Sequence, residues 1–242
     1  MLRTINKPED IFAEITADFQ SAMGMDLVSL ILYGSGAGGH YIPGKSDINF
    51  LIILTEAGLD DLERVIEVVR KWKKRRVANV FMTQAYITSS VDAYPVEFLN
   101  MKLNHRLLFG QDVLTELTFL PSDLRLQLER ELKGKIFHLR HGWLEYEGKE
   151  KGLRQLIKLS LGAFMPLFKA LLFLRGYEVP HGRRDVIKSL SLAYPINPDV
   201  FLRSIDLREQ RCRFSAGEVR QLFTLYQQEI AKVSTLIDRM EV

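Results

Sequence analysis

The sequence predicts an α+β protein: a mixed-sheet α/β domain over residues 1–118, then an all-α helical bundle over residues 119–242. Three observations predict it. Strand-like and helix-like segments alternate in the first half, helical periodicity fills the second, and the charge balance changes between them. Residues 1–120 carry 12 Lys and Arg against 15 Asp and Glu, a net of −3; residues 121–242 carry 21 against 15, a net of +6. The chain is 47% hydrophobic and 26% charged over 242 residues, enough to bury two cores and too apolar for a disordered chain.

Each element has its own justification. Residues 11–23 repeat apolar positions at helical spacing. Residues 27–33 are a short apolar run rich in β-formers, read as a buried strand. The run stops at Gly34-Ser35-Gly36-Ala37-Gly38-Gly39, a breaker cluster that must be a loop. Residues 47–54 are a second strand. Residues 59–69 have helical period, with acids early and bases late, as the helix dipole favours. Residues 77–82 are a third strand and 84–89 a short helix. Residues 96–102 are expected to be a fourth strand, running on toward Phe109 before Gly110. Leu120-Pro121-Ser122 is the hinge, with Ser122 placed to cap a helix over 123–146. A second helix covers 151–175 and ends at Gly176, and Pro166 inside it should kink it. A shorter helix spans 184–193. Pro195 and Pro198 then break the chain, and the last helix runs over 216–240.

Several function classes are set aside by composition. The single cysteine, Cys212, excludes an intrachain disulfide framework and a cysteine-built zinc site, and suits a reducing compartment. The opening MLRTINKPEDIFAEI lacks the apolar stretch of a secretion signal. The apolar run 161–174 is shorter than the roughly 20 residues a membrane span needs, and it carries Lys169. The expected location is the cytoplasm, with no membrane partner.

The chemistry concentrates at Tyr33-Gly34-Ser35, followed after eleven residues by Asp47-Ile48-Asn49. On a strand, i and i+2 share a face, so Asp47 and Asn49 are expected to project together. A glycine at a strand end lets backbone approach a bulky anion, and the Ser35 hydroxyl with nearby N–H groups can hold phosphate oxygens. Oxygen ligands on the adjoining strand can hold Mg²⁺ against that phosphate. Glu97, between Val96 and Phe98, is expected as a further acid on a strand, where burial is costly without a metal or partner.

These residues resemble the nucleotidyltransferase superfamily of polymerase-β-like fold, in its short bacterial members with a helical second domain. The family pattern is Gly-Ser, a loop, Ser-Asp-hydrophobic-acid on the next strand, and a third acid on a later strand. Gly34, Ser35, Ser46, Asp47 and Glu97 match it over about the first 110 residues. The resemblance implies Mg²⁺, as one or two ions, held by Asp47, Asn49 and Glu97 as catalytic residues and metal ligands. It also implies a nucleoside triphosphate bound at Gly34, Ser35, Lys45 and Ser46, and transfer of a nucleoside monophosphate to a hydroxyl acceptor. Asn49 departs from the pattern: its amide oxygen can ligate but carries no charge. The alternative is therefore a non-catalytic nucleotide-sensing or partner-binding module, as in toxin–antitoxin pairs. The stretch from Lys169 through Gly176 to Pro180 also resembles HEPN or kanamycin-nucleotidyltransferase-type helical domains.

Other features have plainer readings. Residues 70–76 hold six bases around Trp72, which suits nucleic acid but also an ordinary helix end. Arg175 and His181 have the Arg-x5-His spacing of ribonuclease HEPN domains, with His181 outside the expected helix. His40, His105, His138 and His141 show no metal spacing and read as surface or core residues. The apolar face of Phe164, Leu167, Phe168, Leu171, Leu172 and Leu174 reads as bundle core, with a homodimer or other protein partner through the helical half as the alternative.

Overall fold

A computed structural model describes residues 5–241. Contacts divide the chain into two compact units. The first is Met1–Asp92 with Phe98–Thr118; the second is Ala93–Glu97 with Phe119–Val242.

The first unit is a four-stranded mixed sheet with helices. Its strands are β1 Leu27–Tyr33, β2 Ile48–Leu54, β3 Val77–Thr83 and β4 His105–Gly110, in the order β3-β2-β1-β4. β1 pairs antiparallel with β2 and β4, and β2 pairs parallel with β3. A parallel pair needs a crossover. The chain supplies it with α2 Glu56–Asp60 and α3 Ile66–Lys73, inserted between β2 and β3, while α1 Phe12–Met23, ahead of β1, packs on the sheet. Thr55 caps α2, its side chain accepting from the Gly58 N–H at 3.1 Å.

Alternation along the strands builds the core. Leu30, Leu32, Ile48, Phe50, Ile52 and Leu54 face Ile11, Ile15 and Phe19, with Trp72 fully buried beside them. Two bases of the run 70–76 are used inside this unit. Lys71 pairs with Glu14 and Asp18, Arg75 with Glu14, and the Trp72 indole N–H donates to Asp18 at 2.8 Å. Lys71 and Arg75 also lie over the Trp72 ring, at 5.1 and 4.8 Å from its centroid. These two bases clamp the end of α3 to α1, while Arg70, Lys73, Lys74 and Arg76 are exposed.

The expected fourth strand over 96–102 is corrected. Helix α4 Gln84–Ser90 is followed by a further helix, α5 Pro95–Leu103, and β4 begins only at His105. Pro95 at the first position of α5 suits a helix start, and Glu97 in that first turn suits its dipole. The apolar residues Val96, Phe98 and Leu99 read as strand-like because a short buried helix and a short buried strand look alike at this length.

The second unit is a helical bundle: α6 Pro121–Glu145, α7 Glu150–Leu174, α8 Arg183–Ala193, α9 Pro198–Glu209 and α10 Ala216–Asp238. Two expectations change here. Pro121 itself opens α6, so Leu120 rather than Ser122 is the cap position. Pro198 opens α9 instead of ending structure, and the Asn197 side chain caps it by accepting from the Asp199 N–H at 3.1 Å. A proline is pre-organised for a first helical turn, which needs no N–H there. Phe164 and Phe168 of α7, Phe201 of α9 and Tyr226 of α10 form an aromatic core with centroids 5.2–6.2 Å apart. Burial pushes the Tyr226 phenol well above its usual range, and the Ser160 hydroxyl is its partner at 3.1 Å. Helix α7 is 25 residues long and apolar enough to cross a membrane by length and composition, but half of its apolar window is buried. Its buried face packs on α6, α8, α9 and α10, as a core helix does.

One core position of the first unit is mispaired. Asn79 of β3 lies in register with Phe50, and both polar atoms of its amide are buried without a hydrogen bond. An unsatisfied buried amide costs about 1–3 kcal/mol. Asn79→Leu, nearly isosteric, is expected to raise the urea midpoint by the equivalent of about 1 kcal/mol. A lower midpoint would show that the amide is satisfied by bound water.

Candidate functional site

The sheet topology brings four chain segments to one end. Tyr33, the last residue of β1, lies opposite Asn49 of β2 and His105 of β4. The parallel register sets Asn49 beside Ala78, and Ile48 beside Val77. This end therefore gathers Gly34 and Ser35, Asp47 and Asn49, Arg76 and Ala78, and Asn104 and His105.

The Gly34-Ser35 loop is held close to the strands. Gly34 has φ +74°, and a Cβ there would lie 3.2 Å from the Asn49 amide nitrogen. The Gly34 N–H donates to the Asn104 carbonyl at 3.1 Å, and the Gly38 N–H to the Gly34 carbonyl at 3.0 Å. A Cβ at Gly38 would meet the Asn104 side-chain oxygen at 2.9 Å, which explains why the loop carries no long side chain at that position. The loop closes through residues 42–46. The Ile42 N–H donates to the Ser46 hydroxyl at 3.1 Å, so that hydroxyl serves the turn. The Ser35 hydroxyl, the Asn49 amide and the Lys45 ammonium make no hydrogen bond among the described residues, Ser35 and Asn49 being partly buried and Lys45 exposed.

Asp47, one residue ahead of β2, is committed to Arg76, whose guanidinium lies 3.0 Å from the carboxylate. Arg76 also donates to the Lys45 carbonyl at 3.0 Å and accepts from the Ile48 N–H at 3.0 Å. Three contacts thus tie one residue to segment 45–48. Arg76 stands just after α3 with φ +63°. A left-handed backbone costs a side-chain-bearing residue roughly 1–2 kcal/mol, and glycine is the usual occupant after a helix. The ion pair is half exposed, at 51% for Arg76 and 56% for Asp47, and such pairs return about 0–1 kcal/mol. The ion pair alone thus does not explain the arginine.

Glu97 is not on a strand. It occupies the first turn of α5 and accepts from the Gln127 side chain at 2.6 Å, while Gln127 accepts from the Val96 N–H at 2.8 Å. Its contacts belong to the second unit, not to the sheet end. None of the four strands carries a carboxylate. No group of three His, Cys, Asp or Glu suited to a metal exists among the described residues. A two-metal centre needs several anionic oxygens converging on two ions. Around the loop and β2 the sheet end offers Asp47, already paired, the Asn49 amide, and Ala78 where the adjoining strand could supply a ligand, while Asp112 on the β4 side is bonded to His105 and Thr115. The donor set does not fit a pair of Mg²⁺ ions.

His105, read from the sequence as a surface or core residue, is bonded to Asp112, which sequence reasoning passed over. The His105 ring bonds through Nδ1 to the Lys102 carbonyl at 2.8 Å and through Nε2 to Asp112 at 2.9 Å. Asp112 also accepts from the Thr115 hydroxyl at 2.7 Å and from the Leu114 and Thr115 N–H groups at 3.0 and 3.1 Å. Burial opposes its charge, but these hydrogen bonds outweigh burial and hold the carboxyl well below the usual range. A signal existed: a His seven residues before an Asp, across a strand that ends in glycine.

No protein-family model and no curated protein matches the chain. Among solved structures it is similar to a spectinomycin adenyltransferase from Enterococcus faecialis, crystallised with ATP and spectinomycin. The TM-score is 0.55 at 12% sequence identity, over 93% of this chain and 100% of that one. At that identity the likeness is one of fold: a nucleotidyltransferase-like α+β architecture.

The Asp112 network makes an acid-side prediction. A carboxyl held below its unfolded value, near 4, adds stability above that value and loses it as pH falls through it. Urea midpoints measured from about pH 6 down to about pH 3 should fall less steeply for Asp112→Asn than for the wild type. Parallel curves would contradict the assignment.

Proposed function

We propose that the chain is a nucleoside-triphosphate-binding regulatory module on the nucleotidyltransferase fold, without nucleotidyl transfer of its own. The observation that carries this reading is the asymmetry of the sheet end. It keeps the glycine-led loop, with the Ser35 hydroxyl and Asn49 amide uncommitted, and it lacks the carboxylates that transfer chemistry requires. Under this reading Gly34, Ser35 and Lys45 meet the phosphates, and Ser46 shapes the loop that presents them. The adenyltransferase crystallised with ATP supports a nucleotide ligand through the shared fold. The helical half is assigned with it, as a HEPN- or kanamycin-nucleotidyltransferase-type bundle that faces a protein partner in the cytoplasm.

The test is calorimetric titration of ATP, GTP, CTP and UTP in Mg²⁺ buffer, with a pyrophosphate assay on the same mixtures. Saturable binding of at least one nucleotide without pyrophosphate release is expected. Gly34→Val should abolish binding while circular dichroism stays native, because its side chain would press on Asn49 at a left-handed backbone. Pyrophosphate release, or no binding at all, would overturn the reading.

A further inference from the structure

We infer that triphosphate binding at this sheet end is metal-independent, with the Arg76 guanidinium doing for the phosphates and for Asp47 what a divalent cation does elsewhere. The inference rests on the nucleotide reading above and names how that site neutralises its ligand.

The charge arithmetic comes first. A site with three carboxylates repels a polyphosphate until metal ions bridge the two. Here Lys45 and Arg76 stand against Asp47, and Asp10 acts on the same Tyr41 hydroxyl as Asp47 and Arg76, so the charges balance. A balanced site does not repel a polyphosphate as three bare carboxylates do, so no bridging ion is required.

Geometry follows. The guanidinium is fixed on two oxygens, the Asp47 carboxylate and the Lys45 carbonyl, both at 3.0 Å. Two such contacts still leave N–H donors on the planar fork, and arginine is the side chain best matched to phosphate oxygens. The anchor is the backbone: Arg76 enters β3 directly, one residue before Val77, and its carbonyl holds Ile48 at the start of β2. A lysine or arginine on a free loop would wander; this one is pinned between two strands.

The strained backbone is the second line of argument. Glycine would adopt φ +63° at no steric cost, and the exposed ion pair alone does not offset the strain of an arginine there.

The experiment titrates ATP and inorganic tripolyphosphate into the full chain, in EDTA and in Mg²⁺, with Arg76→Gly alongside. The wild type should bind both ligands in EDTA about as well as in Mg²⁺. Arg76→Gly should weaken binding in EDTA by about tenfold or more, the scale of a charge-assisted hydrogen bond. Its urea midpoint should hold or rise, since glycine relieves the backbone, which separates loss of binding from loss of fold. Binding that requires Mg²⁺ would overturn the inference and leave the nucleotide reading standing. Unchanged EDTA binding by Arg76→Gly would overturn the arginine's role. No binding of ATP in either buffer would remove the nucleotide reading, and the inference with it.

Discussion

The register of β1 governs this molecule. Tyr33 is held opposite Asn49 on one side and His105 on the other, and that single alignment decides what meets at the sheet end. The antiparallel β1–β2 pair brings the loop 34–46 back over its own strands. The parallel β2–β3 pair, possible only with the α2–α3 crossover, delivers Arg76 beside Asp47. A slip of one residue would turn Asn49 toward the α1 core and move Phe50 to the opposite face of the strand. The continuous burial of Ile48, Phe50, Ile52 and Leu54 against α1 prevents that slip. Core packing therefore fixes the geometry of a site that is itself polar and half exposed.

The electrostatic character of the site follows from what the strands do not carry. Removing carboxylates from a sheet end lowers its affinity for divalent cations and raises it for polyphosphate, by the same Coulomb term with opposite sign. Asn49, Ala78 and Arg76 all push in that direction.

Much of the fold was legible. β1 and β2 announced themselves by apolar runs ended by glycines or a polar loop, and helices α6, α7 and α10 by sustained periodicity. The errors share a physical cause. Residues 96–102 have too few turns for periodicity to separate helix from strand, and Pro198 reads as a breaker until its capping partner Asn197 is seen. Gly34 and Asn49 were expected at one strand end from local spacing, and the register sets them there. Glu97 was expected on a strand and lies on a helix for the reason just given. Arg76 was hidden in a basic run, two of whose members reach α1, and only the parallel register brings it to Asp47.

Asp47 separates a metal site from an arginine site by sign. The most direct measurement is the ATP affinity of Asp47→Asn against the wild type, by calorimetry in Mg²⁺ buffer. If Arg76 neutralises the phosphates, removing the neighbouring carboxylate lessens repulsion, and binding is retained or tightened. If Asp47 holds a metal that carries the nucleotide, the same substitution abolishes binding, and the present account is wrong.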